Sequence, residues 1–170
     1  MFIRALSVLL GLFLLPLSAG AKPLEVGKRA PDFYLRDQSQ ALIHLADVTS
    51  GHVVVLDFFR TDCAPCKKSL AALKKVHQAT KGKKVRVMIL ALLEEEEGEE
   101  KLARFFKQNP MPFQILVDAY GVVAKKYIRK GNSMQLPSLF VIDRKNRVRF
   151  RHNSLLSDPK ELMATLDKVL

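Results

Sequence analysis

Val53-Val54-Val55-Leu56-Asp57-Phe58-Phe59-Arg60-Thr61-Asp62-Cys63-Ala64-Pro65-Cys66 is the stretch whose reading decides the fold. Val53 to Phe59 is an apolar run interrupted only by Asp57, the pattern of a central strand buried on both faces. The only two cysteines of the chain follow it, spaced Cys-x-x-Cys. An amphipathic helix begins at or just after them. From Cys66 to about Thr80, Leu70, Leu73 and Val76 recur every three residues with lysines opposite, and Gly82 ends the pattern. Cys63 therefore falls near a helix N-terminus, where unpaired N–H groups and the helix dipole stabilise an anion. A thiolate is such an anion and is the reactive form of cysteine. Pro65 is tolerated there because early helix positions need no internal N–H donor.

A Cys63–Cys66 disulfide would close a very short loop, so its loop-entropy contribution to stability is small. Such a bridge is better explained by exchange chemistry than by stapling. Cys-x-x-Cys also suits zinc, but a second ligand pair is required, and His44, His52, His77 and His152 show no paired ligand spacing. An inert pair of core thiols is the plainest alternative.

The first residues address location. Met1 to about Ala21 carries one early charge, Arg4, then the apolar stretch Ala5 to Leu17, and closes on Ala19-Gly20-Ala21, a small-x-small cleavage pattern. The stretch is shorter than the ~20 residues that span a bilayer comfortably. It reads as a secretory signal over residues 1–21, with an uncleaved N-terminal anchor as the rival. No cysteine lies nearby, which excludes a lipoprotein anchor. Residues 22–170 remain as one domain with a sizeable core.

The 170-residue chain has 28 basic and 17 acidic side chains, and loss of Arg4 alone leaves a net charge near +10. Lys67, Lys68, Lys74, Lys75, Lys81, Lys83 and Lys84 cluster around one helix and its exit. No aromatic interleaving or nucleic-acid motif accompanies them, so they read as a solvated helix face and not a nucleic-acid surface.

Elsewhere the elements alternate. Asp32–Arg36 and Ala41–His44 read as an N-terminal hairpin around Asp37-Gln38-Ser39-Gln40. Val85–Leu92 is a second buried strand. Gly98–Gln108 is a helix burying Leu102, Phe105 and Phe106, stopped by Pro110. Phe113–Val117 is a strand and Gly121–Ile128 a short helix. Ser138–Ile142 and Val148–His152 are strands joined by Asp143-Arg144-Lys145-Asn146. A last helix, about Asp158–Leu170, puts Leu162, Leu166 and Val169 on one face. The acidic run from Glu94 to Glu100 is a solvated loop leading into a helix. This order implies an α/β protein, a central mixed sheet flanked by helices on both faces.

The strand–Asp–Cys-x-Pro-Cys–helix unit, with Leu136-Pro137-Ser138-Leu139-Phe140-Val141-Ile142-Asp143 downstream, resembles the thioredoxin superfamily. Gly27-Lys28-Arg29-Ala30-Pro31-Asp32-Phe33 resembles the leading segment shared by TlpA/ResA-like proteins and peroxiredoxins. Glu94–Tyr127 matches the β-α insertion of the TlpA/ResA-like branch. The resemblance implies a thioredoxin-like fold with an N-terminal β extension and that insertion. The peroxiredoxin site needs Pro-x-x-x-Thr/Ser-x-x-Cys, whereas Leu56 and Arg60 occupy those positions before Cys63.

By this resemblance Cys63 is the exposed nucleophile and Cys66 the resolving thiol. Asp57, six residues before Cys63, matches an acid that relays protons to the second cysteine; burial would raise its pKa. A strand-end Asp reaching solvent or a lysine is the alternative. Pro137 matches the family's cis-proline, which leaves the Leu136 backbone free to pair with an extended substrate segment; an ordinary trans turn is the alternative. Leu136 and Asp62 are the further substrate-binding candidates; for Asp62, pairing with Arg60 or standing as a solvent-exposed spectator are the alternatives. Asp62 stands where the family usually has Trp, and the chain contains no Trp. Its carboxylate disfavours a Cys63 thiolate while Arg60, Lys67 and Lys68 favour one.

The implied activity is extracytoplasmic, periplasmic thiol–disulfide exchange, reducing disulfides of client proteins, apocytochromes before haem attachment among them. Disulfide oxidation or isomerisation, a redox-inert peptide-binding module and a metallochaperone are the rivals. No nicotinamide or flavin motif is present, so no cofactor is implied and the electrons would come from a membrane thiol relay.

Overall fold

A computed structural model describes residues 22–93 and 98–170. The secretory-signal reading of residues 1–21 and the first part of the acidic run, Glu94–Glu97, lie outside the described residues. The elements follow in the order β1 (Tyr34–Asp37), β2 (Leu42–His44), α1 (Leu45–Gly51), β3 (Val53–Phe59), α2 (Ala64–Ala79), β4 (Val85–Leu92), α3 (Gly98–Gln108) and β5 (Gln114–Asp118). Then come α4 (Val122–Tyr127), β6 (Arg129–Lys130), β7 (Ser133–Met134), β8 (Ser138–Ile142), β9 (Val148–His152) and α5 (Lys160–Val169).

Seven strands form one sheet in the order β2-β1-β5-β4-β3-β8-β9. The parallel core β5-β4-β3 is flanked by antiparallel strands on both sides. All seven residues of β3 are buried because each face of the sheet is covered. Val53, Val55 and Phe59 pack with Leu70, Leu73 and Val76 of α2, Leu102 and Phe106 of α3, and Leu162 and Leu166 of α5. Val54, Leu56 and Phe58 pack on the opposite face with Leu45 of α1 and Val123, Ala124 and Tyr127 of α4. Each such side chain contributes about 1.5–3 kcal/mol on full burial. That makes the centre of the sheet a rigid support for whatever its ends carry.

Two elements have no counterpart in the sequence pattern. Helix α1 is seven residues long and buries only Leu45 and Thr49, too little for a helical period to register. The β6–β7 hairpin has two residues per strand and turns through Gly131 at φ 59°, a left-handed conformation that favours glycine. Helix α2 also starts earlier than the apolar spacing suggests, at Ala64, because Pro65 is accommodated in its first turn. Asp118, at the end of β5, accepts hydrogen bonds from the Val122 and Ala124 N–H groups at 2.9 and 2.8 Å. Those bonds satisfy open donors at the start of α4 and fix that helix under the sheet.

Candidate functional site

The chain leaves β3 at Phe59, turns through Arg60–Asp62, and enters α2. Cys63 is the N-cap of that helix, with extended backbone angles (φ −83°, ψ 96°), and its Sγ accepts the Cys66 N–H at 3.2 Å. Cys63 and Cys66 are joined by a disulfide, with 5.2 Å between their Cα atoms. Burial separates the two sulfurs' environments. Cys66 is fully buried in the cluster under α2, while Cys63 is half-buried at its margin. The first turn of α2 is fixed by Ser69, whose hydroxyl donates to the Pro65 carbonyl at 3.1 Å and accepts the Leu156 N–H at 3.0 Å.

Asp57 sits in the middle of β3, paired with Ile89 of β4 and Leu139 of β8. It shares a face with Val55 and Phe59, the face that α2 covers with Cys66. It is 2 % exposed, and its Oδ2 has no hydrogen-bond partner among the described residues. Burial without a compensating donor disfavours the charged form and holds its carboxyl well above the ordinary carboxylate range. A carboxyl whose pKa is raised in this way takes up a proton more readily, as it approaches neutral pH, than one held at the ordinary carboxylate value.

Arg60 and Asp62 form a two-pronged ion pair across the turn, Nε to Oδ1 at 2.5 Å and Nη2 to Oδ2 at 2.7 Å. Both Asp62 oxygens are thereby engaged, and Arg60 already balances the charge that would draw a basic group from another molecule, although each oxygen keeps a further acceptor site. The pair also brings opposite charges together beside Cys63, offsetting the two influences that the sequence sets against each other.

Leu136 and Pro137 reach the same end of the sheet by strand register. Antiparallel pairing places Ser138 opposite Phe58, so Pro137 lies level with Phe59, just before the turn to Cys63. The Leu136–Pro137 peptide is cis. Pro137 is buried, and Leu136 is half-buried against the clusters on both faces. Cys63, Cys66, Asp57, Asp62, Leu136 and Pro137 thus converge on the β3–α2 junction and the adjoining start of β8.

Residues 26–151 match the AhpC/TSA family. The chain belongs to that family. Among curated relatives, thiol-disulfide oxidoreductase ResA of Bacillus thuringiensis subsp. konkukian is 30% identical over 125 residues, covering 74% of this chain and 68% of that protein. Thioredoxin-like protein YneN of Bacillus subtilis is 28% identical over 144 residues, 85% of this chain and 80% of that one. Among solved structures, a candidate thiol:disulfide interchange protein DsbE of Chlorobium tepidum superposes with a TM-score of 0.71 at 28% identity, covering 85% of this chain and 96% of that one. This AhpC/TSA member is accordingly of the ResA/DsbE type of thiol–disulfide oxidoreductase, with a thioredoxin-like fold.

A groove of about 1170 Å³ lies elsewhere, along the β1–β2 edge beneath exposed Tyr34 and Tyr120. None of the six candidate residues lines it. A smaller cleft of about 630 Å³ runs from Arg60 past Leu93 to Tyr120 and Met134, beside the turn that carries Asp62. Sequence reasoning missed Gln135 and Arg151, which are linked by a side-chain hydrogen bond behind the Leu136–Pro137 peptide. Gln135 adjoins a flagged motif, but its partner is sixteen residues away on β9 and only strand register brings the two together. Among the described residues no cluster of His, Cys, Asp or Glu is arranged to hold a metal, and no helix is long and apolar enough to cross a membrane.

Proposed function

We propose that this AhpC/TSA protein is an extracytoplasmic thiol–disulfide oxidoreductase that reduces disulfides of client proteins. The observation that carries the reading is the asymmetry of the cysteine pair, one sulfur half-exposed at a helix N-terminus and the other buried one turn later beneath it. In the reduced protein the Cys63 thiolate attacks one sulfur of the client disulfide. A Cys63–client bond forms, the client S–S bond breaks, and one client thiolate leaves. Cys66 then gives its proton to Asp57, which must first be ionised, and the new thiolate attacks Cys63 Sγ. The mixed disulfide breaks, the second client thiolate leaves, and the Cys63–Cys66 disulfide forms. Two electrons have passed to the client, and the released thiolates take up protons, one of them from Asp57.

Asp57 acts at one stage as base and at the next as acid, which suits a carboxyl whose pKa burial has raised toward working pH. Leu136 offers its backbone to an extended client segment, with Pro137 closing the groove beside the sulfurs. A membrane thiol relay returns the pair to the dithiol, since nothing in the chain suggests a cofactor that could. The apolar start at residues 1–21 supports export to the periplasm, where apocytochromes awaiting haem are one client class.

Peroxide chemistry is disfavoured by Leu56 and Arg60 at the positions where peroxiredoxins carry Pro and Thr or Ser. The test is a trapping experiment. Cys66→Ser should accumulate a Cys63–client mixed disulfide that resolves on adding dithiothreitol, and Cys63→Ser should accumulate none. Equal trapping by both variants, or by neither, contradicts the assignment.

A further inference from the structure

Gln135, which precedes the Leu136–Pro137 peptide, is held at three points. Its N–H donates to the Ile128 carbonyl at the end of α4, 2.9 Å away. Its own carbonyl accepts the Ser138 hydroxyl at 2.7 Å. Its side-chain Oε1 accepts a hydrogen bond from Arg151 Nη2. The third bond comes from β9, the strand at the edge of the sheet. Arg151 faces Phe140 in the β8–β9 register, and its guanidinium carbon lies 5.9 Å from the centre of that ring. The Phe140 ring is in turn set edge-on against Phe58 and Tyr127, at 5.8 and 5.5 Å between centres. The arginine therefore rests on a packed aromatic platform and does not sweep freely through solvent.

For the fold alone this is a poor residue. Arg151 Nε is buried with no partner among the described residues, and an apolar side chain on the same platform would avoid that unmatched donor. What a long forked cation adds is reach: it spans from β9 to the loop ahead of β8 and donates there in a fixed direction. We propose that Arg151 is a positioning residue for client docking, latching Gln135 so that the Leu136–Pro137 backbone keeps the shape with which an extended client segment pairs. This rests on the reading of Cys63–Cys66 as the exchange pair and of Leu136–Pro137 as the client-binding edge. Arg151 acts through Gln135 and touches no reacting atom.

The experiment follows single turnovers of dithiothreitol-reduced, desalted protein on two oxidised substrates across wild type, Arg151→Leu, Gln135→Leu, the double variant and Arg151→Lys, with KM and kcat read as the half-saturating substrate concentration and the limiting rate. One substrate is 5,5′-dithiobis(2-nitrobenzoate), a disulfide with no peptide backbone to dock. The other is a synthetic peptide carrying an internal disulfide. Arg151→Leu should raise KM for the peptide about tenfold with kcat nearly unchanged, the loss expected for one charge-assisted hydrogen bond, and should leave the aromatic disulfide within about twofold. Gln135→Leu should match it, the double variant should be no worse than either, and Arg151→Lys should recover part of the affinity. Equal losses on both substrates, additive losses in the double variant, or an unchanged peptide KM overturn the latch. If Arg151→Leu fails to fold, Gln135→Leu reads the same bond from its other end, and an unchanged peptide KM there overturns the proposal. A wild-type protein that reduces neither substrate overturns the exchange reading itself, and the latch with it.

Discussion

Two buried aspartates at different stations of the sheet are treated in opposite ways. Asp143 closes the turn from β8 to β9, at the end away from the cysteines, because Ile142 before it pairs with Val54 near the start of β3. It is 7 % exposed and accepts hydrogen bonds from the Lys145 and Arg147 N–H groups, both at 2.9 Å, and from Arg149 Nε at 2.5 Å. Burial alone would push its carboxyl up; the Arg147 N–H, the Arg149 side chain and the Lys145 N–H outweigh that and hold it below the ordinary range. Asp57, at 2 % exposure, has an unpartnered Oδ2 and a carboxyl held well above that range by burial. A carboxylate kept for structure is surrounded by donors. One left with an unpartnered oxygen inside a core, on the face that α2 covers with Cys66, is instead held toward its neutral form.

The sharpest way to break this contrast is to remove each carboxyl and read both activity and stability. Asp57→Asn should slow reduction of a peptide disulfide about 10²-fold at neutral pH, the low end of what a positioned acid–base group supplies. A rate equal to wild type would leave Asp57 without a role in proton transfer. Asp143→Ala should leave that rate unchanged and cost about 2 kcal/mol in denaturant unfolding, since the donors of its turn lose their acceptor. An unaltered unfolding midpoint would show that water replaces the carboxylate without loss.

A smaller effect is a difference in pH slope. The folded pKa of Asp57 is raised, so the unfolded chain releases this proton first and stability falls as pH climbs above about 4. Asp143 has a depressed folded pKa, so its contribution is present above about pH 4 and is lost as pH falls through the folded value. Asp57→Leu should therefore gain stability over wild type, by about 1 kcal/mol or more at pH 8, with a gain that shrinks toward pH 4. A pH-independent difference would contradict the raised pKa.

The smallest effect belongs to the N-terminal hairpin, where His44 Nε2 lies 2.6 Å from Asp32. That hydrogen bond, opposed by some desolvation and reinforced by Asp47, raises the His44 pKa. Its stabilisation is present below about pH 6.5 and is lost as pH rises through the raised folded value. In Asp32→Asn the His44 titration followed by NMR should move downward, and an unmoved midpoint would remove the pair from the account.

What could be read from the residues divides along contact distance. The cysteines stand in one contiguous motif, and Asp57 is conspicuous because it interrupts an apolar strand. Strands β3, β4 and β8 were legible as near-continuous apolar runs, and helices α2, α3 and α5 because each repeats its apolar spacing long enough to show a period. Helix α1 and the β6–β7 hairpin are too short for that. The Gln135–Arg151 bond depends on the antiparallel pairing of β8 with β9, and its two residues carry no local signal of each other. The burial contrast between Cys63 and Cys66 likewise comes from packing under α2 and not from their spacing.

The most direct test of the central claim is the equilibrium between the purified protein and graded dithiothreitol or glutathione buffers, with the thiols of Cys63 and Cys66 trapped and counted. The account predicts that the pair titrates as one two-electron couple at a reducing potential, near thioredoxin's value of about −270 mV. A potential near the roughly −120 mV of DsbA would reverse the proposed direction and make the protein a disulfide donor. A pair that never equilibrates with either buffer would contradict thiol–disulfide exchange altogether.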